Sequence, residues 1–455
     1  MSYGITMGNA RIKMIVGAVA LAVAGVSHAA TTLVGGGATL PALGYAGSTA
    51  ATQKQVTAGA TGSLFGAYTA SVRGNPTVSY CSTGSGAGKN ILALVSGTSV
   101  QDACPNTGTI NGFGAPAVSR TDLAQPNFAA ADSPLAQSDF SNYTTNHVSG
   151  DFPTQFPAVA GAIAIAFNKT DDQGTVLASS AVNLTDAEVC SVFSGNTTTW
   201  NALQALGGIT LPSGHTISGP INVQFRSDGS GTTFGFSNHL ANVCSGTASA
   251  HFVTSQAFTG PAGTTPPTVE SVNFPSGVPS NWTGSSGNPA VVTAIQAADG
   301  NLGYVEAANA ISSGVAFANV NGLNPKTNLG SSTTHLVTVS SSNIVFNEAI
   351  TGADATTGHA TFAAITGAPT TQCIALVQPD SYATQPTGQY PIVAISYLLG
   401  NAKGNGTDLA HTQLLLGAPY NSTVTGSVTS IGANTGLAFL SSPITSSQVS
   451  ACLVN

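Results

Sequence analysis

The chain has 455 residues, of which only 6% are charged, and its formal net charge is −7. Without the leader described below, eight basic residues face seventeen acidic ones, a net charge of about −9. So acidic a chain is a poor partner for nucleic acid or for an anionic membrane surface, because both repel negative charge. The length is enough for two domains or for one large one.

Residues 1–30 have the pattern of a secretory signal peptide. Arg11 and Lys13 precede a short apolar run, and small residues follow at Ala29 and Ala30, where we expect cleavage. The apolar run is too short for a membrane anchor, and no later run is long enough to span a bilayer. We therefore expect a periplasmic or secreted protein with no membrane insertion.

Six cysteines, an even number, indicate disulfide bonds in an exported chain. Six cysteines allow fifteen pairings, and their order along the chain favours pairing between neighbours. The rival interpretation is a metal cluster, but no CxxC or Cys/His spacing supports it, so we expect no metal. The expected disulfides are Cys81–Cys104, Cys190–Cys244 and Cys373–Cys452.

Several segments have the pattern of a strand, a turn and a helix in succession, which predicts α/β architecture. One of the helices begins with a capping box, formed by Thr185 and by Glu188 three residues later. Residues 245–290 and 310–390 differ, because they are loose in pattern and look like long loops. The segments with helix or strand patterns are, in chain order, 34–41, 78–95, 159–167, 185–193, 221–240 and 391–399.

Three of the predicted helices begin with a hydroxyl residue after a glycine-rich turn. Such a start offers free backbone N–H groups and an O–H donor, which suit a tetrahedral oxyanion. The most informative segment begins at Arg226, one of few cations in the chain, whose guanidinium Asp228 could orient. We expect the three starts to converge on one anion. Their residues are Thr39 and Leu40, then Ser85, then Ser230, Gly231 and Thr232.

In their order along the chain, these motifs resemble those of the periplasmic phosphate-binding proteins of ABC transporters, and among them the exported DING-type branch. The strongest match is the Arg-x-Asp-Gly-Ser-Gly-Thr motif of residues 226–232. Regions 245–290 and 310–390 match the family poorly. The other matching segments are 35–41, 80–89, 162–169, 182–200, 294–306 and 390–392.

The resemblance implies a type II-like periplasmic binding protein, an α/β fold of two lobes joined by a two-strand hinge, with the ligand in the cleft between them. It places the first lobe at residues 31–166 plus 391–455 and the second at 167–390, with crossings near Phe167 and Tyr390. It implies that the protein is not an enzyme, needs no cofactor, and binds inorganic phosphate or a similar oxyanion, with an ABC permease as a candidate partner. The implied phosphate contacts are Arg226 and the three helix starts, with Asp228 in support.

One loop departs from the family pattern. The family has an aspartate after Gly/Ala-Ser that accepts the proton of hydrogen phosphate and so excludes sulfate, because two facing acceptors are costly when buried. A gapless alignment puts that position after Ser119, where Arg120 stands, and Asp122 comes two residues late. Either Asp122 is the acceptor, or Arg120 enters the cleft and sulfate, an organophosphate or another anion becomes the ligand.

Two other classes of function stay open. A secreted phosphoesterase could use the same scaffold, although the sequence shows no convincing nucleophile–base pair. An extracellular surface or adhesion protein is favoured by the low charge and by the long loops rich in Ser and Thr.

Overall fold

The structure, a computed structural model, describes residues 1, 31–47, 55–56, 59–98, 104, 110–244, 251–258 and 278–455. The expected signal peptide and its cleavage sites lie outside the described residues, and so does much of the 245–290 region. No helix in the described part of the chain is long and apolar enough to cross a membrane.

Short strands and helices alternate along most of the described chain. The strands are β1 (Thr32–Gly36), β2 (Gln55–Val56), β3 (Thr77–Cys81), β4 (Phe128–Ala131), β5 (Pro153–Asn168), β6 (Asn183–Leu184), β7 (Asn222–Arg226), β8 (Thr283–Ser285), β9 (Asn301–Glu306), β10 (Ala316–Phe317), β11 (Asn319–Val320), β12 (Val337–Thr338), β13 (Ile344–Phe346), β14 (Glu348–Ala353), β15 (Ala360–Ala364), β16 (Ala375–Val377), β17 (Val393–Asn401) and β18 (Leu437–Ser441). The helices are α1 (Ala42–Ala46), α2 (Leu64–Ser71), α3 (Ser85–Leu92), α4 (Gln137–Asn146), α5 (Asp186–Phe193), α6 (Trp200–Leu206), α7 (Gly231–Val243), α8 (Asn288–Gln296), α9 (Ala307–Ser313), α10 (Leu409–Leu416), α11 (Ser422–Thr425) and α12 (Ser446–Ala451).

The long strand β5 belongs to both lobes. It is buried along nearly its whole length, as expected for a run of apolar residues that is covered on both faces. Its first part pairs with β17 as far as Ala162 and Val393. From Ile163 onward it pairs with β9 instead. One lobe therefore gives way to the other between Ala162 and Ile163, a few residues before the crossing expected near Phe167.

The segment before β17 is hydrogen-bonded to the middle of β5. The hydroxyl of Tyr390 donates to the carbonyl oxygen of Ile163 at 2.8 Å, and the Ile163 N–H donates to the carbonyl oxygen of Ile392 at 2.9 Å. These bonds tie the segment before β17 to the point where β5 changes lobes.

In the first lobe, β17 lies between β4 and β5 and is antiparallel to both. β4 in turn lies beside β1, because the Ala38 N–H donates to the Ala130 carbonyl oxygen at 2.8 Å. β1 runs parallel to β3, and its bridge to β4 is also parallel. The carboxyl ends of β1, β3 and β4 therefore meet at one edge of the sheet, and α1 and α3 begin there.

The second lobe repeats this arrangement. β7 runs parallel to β8 and to β9, so their carboxyl ends also meet at one edge. Helices α7, α8 and α9 follow these three strands in the chain. Each of them therefore begins at that edge, where the N–H groups of its first turn have no partner within the helix.

Residues 337–377, called the brace here, contact elements of the first lobe. The resemblance assigned them to the second lobe, but β12 in the brace pairs with β18 of the first lobe. The side chain of Gln155, in the first-lobe part of β5, donates to the carbonyl oxygen of Ala375 at 2.8 Å. The strands of the brace are two to six residues long, and strands so short leave little periodic signal in a sequence.

All three disulfides expected from the order of the cysteines are present, which confirms that pairing. The Cα atoms are 6.1 Å apart in Cys81–Cys104, 5.6 Å in Cys190–Cys244 and 5.5 Å in Cys373–Cys452. The first disulfide lies at the end of β3, just before α3. The second joins α5 to the end of α7, and the third ties the brace to the last residues of the chain.

Candidate functional site

The helix starts of the two lobes meet in the cleft. The Gly86 N–H, in the first turn of α3, donates to the carbonyl oxygen of Gly229, just before α7, at 3.0 Å. The turn before α3 depends on Gly84, whose φ is +88°. A Cβ atom there would lie 2.7 Å from Oδ2 of Asp228. Glycine therefore provides both the backbone conformation and the close approach of the two lobes.

Arg226, the last residue of β7, is only 1% exposed. Its Nε donates to Oδ1 of Asp228 at 2.6 Å, and its Nη2 donates to Oδ2. The remaining nitrogen, Nη1, lies 3.3 Å from Oγ1 of Thr39 and 3.4 Å from Oγ1 of Thr232. Burial alone would raise the pKa of Asp228, but the Arg226 charge and its hydrogen bonds hold that pKa below its ordinary value. The aspartate thus fixes the guanidinium with Nη1 facing the two hydroxyls.

The start of α7 supplies further donors. Its N-cap is Ser230, whose Oγ accepts the N–H of Thr233 at 3.1 Å. The N–H groups of Gly231 and Thr232 belong to the first turn, where α-helical bonding leaves them free. The positive end of the dipole of this 13-residue helix lies at the same turn. Ser230 thus caps a helix, as the sequence pattern predicted.

The acid that meets these donors is Asp132, which the sequence patterns did not reveal. It directly follows β4, so it stands at the same sheet edge as Thr39 and Ser85. Its backbone N–H donates to Oγ of Ser85 at 3.0 Å, and that hydroxyl lies 3.4 Å from Oδ2 of Asp132. A Cβ atom on Gly231 would lie 2.3 Å from Cβ of Asp132. Asp132 thus lies against the helix starts of both lobes.

Burial determines the protonation of Asp132, which is 1% exposed. Burial raises the pKa of its carboxyl to about 7, against the opposing effects of the nearby Ser396 hydroxyl, the Arg226 charge, the Ser85 hydroxyl and the Leu40 backbone N–H. The backbone N–H of Leu40, one of the predicted site residues, therefore lies near the acid.

Arg120 and Asp122, the two residues proposed from the gapless alignment, lie elsewhere. Arg120 donates to Oδ1 of Asp122 at 2.8 Å, to Oδ2 of Asp408 at 2.7 Å and to the carbonyl oxygen of Thr32. Thr32 begins β1, whereas Thr39 follows the opposite end of that strand. Arg120 is therefore at the far edge of the sheet from the cluster.

Neither Arg120 nor Asp122 is therefore next to the cluster. Ser119, which precedes Arg120, has a left-handed backbone (φ 60°) and ends a 3₁₀ turn, so it is not at a helix start. The acid that does lie at the cluster, Asp132, follows the end of β4 and comes ten residues after Asp122. An alignment without a gap could not reach it.

Asn288 is the second residue that the sequence patterns missed. Its Nδ2 donates to Oγ1 of Thr39 at 3.0 Å and to Oγ1 of Thr232 at 3.1 Å. It begins α8 after Gly287, whose φ is +78°. This is the same glycine turn and helix start as in the other segments, but it lies in a region that looked like a loop. The repeated pattern was the signal that could have found it.

Glu306 caps the helix that follows β9. It is fully buried, and its carboxylate accepts the N–H groups of Ala308 at 2.6 Å and Asn309 at 2.8 Å. Burial raises the pKa of Glu306 to about 8, against those bonds. Its own N–H donates to Oδ1 of Asn288 at 3.1 Å. Glu306 therefore contacts the cluster through Asn288.

The cluster can surround one small anion with donors from both lobes. Within the described residues, no group of His, Cys, Asp and Glu side chains could hold a metal ion. The converging groups are the Arg226 guanidinium, the hydroxyls of Thr39, Ser85 and Thr232, the backbone of Leu40 and Gly231, the N-cap Ser230 and the carboxyl of Asp132.

Comparison with known proteins places the chain in a family. A model of the PBP superfamily domain matches residues 44–410. Alkaline phosphatase L of Pseudomonas aeruginosa is 33% identical over 303 residues, which cover 65% of this chain and 62% of the relative. The phosphate-binding protein PstS of Xylella fastidiosa is 30% identical over 203 residues, which cover 44% of this chain and 45% of the relative. The chain thus spans less than two thirds of the length of these relatives.

Solved structures share the fold. A periplasmic phosphate-binding protein, PfluDING, solved with bound phosphate, superposes with a TM-score of 0.56 at 22% identity over 92% of each chain. A phosphate-binding protein from Stenotrophomonas maltophilia gives 0.54 at 23% identity over 93% of each chain. The predicted two-lobed α/β fold is therefore confirmed.

Proposed function

This chain belongs to the PBP superfamily, and we propose that it captures inorganic phosphate between its two lobes. The observation that carries the proposal is the meeting of Arg226 with helix starts from both lobes around one buried acid. Donors on many sides suit a tetrahedral oxyanion, because they replace the water that it loses on binding. Relatives named as phosphate-binding proteins support the same ligand.

Asp132 gives the site its preference for phosphate over sulfate. When ionised it is an acceptor, and it can receive the proton that hydrogen phosphate carries. Sulfate has no such proton at neutral pH, so one of its oxygens would face the carboxylate unpaired, at a cost of roughly 1–3 kcal/mol. The role that was open between Asp122 and Arg120 falls to Asp132 in this proposal.

We further propose that the protein is exported and delivers phosphate to an ABC permease or scavenges it outside the cell. The signal-peptide pattern of residues 1–30 supports export. The resemblance of the sequence motifs to those of ABC-transporter binding proteins supports a role in transport.

The test compares two arginines that are both paired with aspartates. We expect Arg226→Ala to weaken phosphate binding at least ~100-fold, because a charged donor is lost from the site. Arg120→Ala, the matched control, should leave binding unchanged, since Arg120 lies at the other edge of the sheet. Isothermal titration of phosphate-stripped protein measures both. No heat and no change in melting temperature when phosphate is added to the wild-type protein would refute phosphate capture.

Hydrolysis of a phosphate ester is the second candidate, and the relative named alkaline phosphatase L favours it. Ser85 and Asp132 are the nearest approach to a nucleophile and a base in the site. Yet Ser85 is 1% exposed and lies where the lobes touch, which suits a small anion better than an ester with an organic group. We therefore propose binding without catalysis. Turnover of a chromogenic ester by wild-type protein, abolished in Ser85→Ala, would favour the enzyme instead.

A further inference from the structure

The hydroxyls of Thr39 and Thr232 decide part of the selectivity of the cleft. A threonine hydroxyl can donate one hydrogen bond and accept others. If it donates to the ligand, it favours a bare anionic oxygen; if it accepts, it favours a protonated one. What surrounds each hydroxyl oxygen therefore determines which form of the anion can bind.

The orientation of the Asn288 amide is determined by its surroundings. The two ends of an asparagine amide look alike in shape and are assigned from their partners. One end faces the backbone N–H of Glu306, which can only donate, so that end is the oxygen. The other end is therefore the NH2 group, and its two hydrogens point at the two threonine hydroxyls.

Each threonine oxygen is thus surrounded by donors. Oγ1 of Thr39 receives Asn288 Nδ2 at 3.0 Å and Arg226 Nη1 at 3.3 Å. Oγ1 of Thr232 receives the same two groups at 3.1 and 3.4 Å. Every hydrogen bond that these two oxygens make within the described chain comes from a nitrogen donor. The hydroxyl protons must therefore point to another acceptor.

We propose that Asn288 is a positioning residue that makes Thr39 and Thr232 donors to the bound anion. The inference rests on the proposed function, since the anion is the acceptor that both protons require. Thr39 belongs to the first lobe, whereas Thr232 and Asn288 belong to the second. Asn288 therefore completes the donor set when the lobes are closed.

The chemical consequence is selection by the number of protons on the ligand. Asp132 is the carboxyl acceptor of the cluster, and it can receive one proton. The second proton of a dihydrogen phosphate would face a donor. A fully deprotonated tetrahedral anion would have no proton to donate to Asp132. The arrangement fits an oxyanion that carries a single proton, such as HPO4²⁻.

Asn288→Leu tests the proposal, because leucine has a similar size and no donors. We expect phosphate affinity to fall about 10- to 100-fold, since both hydroxyls become free to turn away from the ligand. The matched control is Asn405→Leu. Asn405 is 7% exposed, and its amide also donates two bonds, to the carbonyl oxygens of Asn401 and Val454. We expect it to lower the melting temperature and leave affinity unchanged.

A double-mutant cycle with Thr232→Val separates positioning from a general loss of structure. If Asn288 acts through the hydroxyls, Asn288→Leu should cost several-fold less affinity in the Thr232→Val protein than in the wild type. If the leucine variant does not fold, Asn288→Asp replaces it, because the aspartate keeps an acceptor for the Glu306 N–H. We expect Asn288→Asp to bind phosphate at least ~100-fold more weakly than the wild type.

The outcomes distinguish the two proposals. Wild-type affinity in Asn288→Leu, or strictly additive losses in the cycle, would overturn the role of Asn288 and leave phosphate capture intact. Wild-type protein that binds no phosphate would overturn phosphate capture, and the role of Asn288 with it.

Discussion

The carboxyl of Asp132 couples protonation to anion binding. Burial at the junction of the lobes favours its neutral form, which explains a pKa of about 7 in place of 3.8. A bound hydrogen phosphate needs the ionised form, because only that form accepts its proton. The same burial that is unfavourable for the unliganded protein thus gives the ligand an acceptor that is poorly hydrated and therefore strong.

We predict that Asp132→Asn stabilises the unliganded protein at neutral pH. The folded-state pKa lies above the ordinary value, so the stability that Asp132 contributes is complete below about pH 3.8 and is lost as the pH rises through about 7. The variant does not titrate there, so its free energy of unfolding should exceed that of the wild type increasingly between pH 4 and 8, by up to a few kcal/mol. Glu306 titrates in both proteins, but the Asp132 charge raises its pKa in the wild type. Loss of that charge in the variant therefore adds to the difference in the same direction.

Denaturant unfolding at several pH values, without phosphate, measures this difference. Equal pH profiles for the two proteins would contradict the burial argument. In the presence of phosphate the order should reverse, because the variant lacks the acceptor and gains little from the ligand.

Helix starts at the carboxyl ends of parallel strands could be predicted from sequence with good accuracy. The capping box of Thr185 and Glu188 is present at the start of α5, and Ser230 caps α7 as expected. Such signals are local, since a cap needs only residues within one turn of each other. This is why the sequence could place Arg226 at a strand end and Ser85 at a helix start. Thr39, expected at a helix start, lies instead three residues before α1, whose N-cap is Pro41.

Asn288 follows the same local pattern of a glycine turn and a helix start, although it lies in a region that looked like a loop. The position of Asp132 could not be predicted in this way. It follows the short strand β4, whose partners are far away in the chain, so nothing nearby marks its register. The brace is a similar case. Its strands pair with each other and with β18, and the region looked like a loop because two to six residues show no clear period.

Both ends of helix α7 are fixed by contacts, and the two ends have different roles. Its first turn faces the cleft, whereas its far end is bonded through Cys244 to Cys190. Thirteen residues at ~1.5 Å each put the disulfide about 20 Å from the site. The disulfide should therefore affect stability and not recognition.

We predict that replacing both Cys190 and Cys244 with serine lowers the free energy of unfolding by up to about 4 kcal/mol, as expected for a closed loop of this length. Phosphate affinity should change less than about twofold, because β7 and Ser230 still fix the first turn. Denaturant unfolding and titration calorimetry on the same protein check both parts. A large loss of affinity would show that the disulfide also positions the site.

The brace connects the two lobes beside the cleft. The Ile350 N–H in β14 donates to the carbonyl oxygen of Leu135, three residues after Asp132, at 2.9 Å. At the other end of the same hairpin, the carbonyl oxygen of Gly358 accepts the N–H of Thr254, in a segment that packs against α7, at 2.8 Å. Opening the lobes therefore requires this hairpin to leave one of them.

We predict that Gly358→Ala speeds phosphate release roughly five- to twentyfold, with little change in the association rate. A Cβ atom at Gly358 would lie 1.8 Å from the carbonyl oxygen of Phe252, so the hairpin must separate from the second lobe. Gly367→Ala is the control, because its φ of +81° gives a similar backbone strain with no atom within 4 Å. Stopped-flow release of phosphate compares them, and equal rates would show that the brace does not restrain opening.

The place of β17 in the first-lobe sheet also determines when that lobe can form. β4 and β5 follow each other in the chain but are not neighbours in the sheet, because β17 lies between them. During synthesis from the amino terminus, both strands emerge with unpaired edges and wait for residues 393–401. Exposed strand edges invite pairing with other chains, and contacts so distant in sequence form slowly. The lobe that is begun first is thus completed late, and the nascent protein needs protection from aggregation until its final segment arrives.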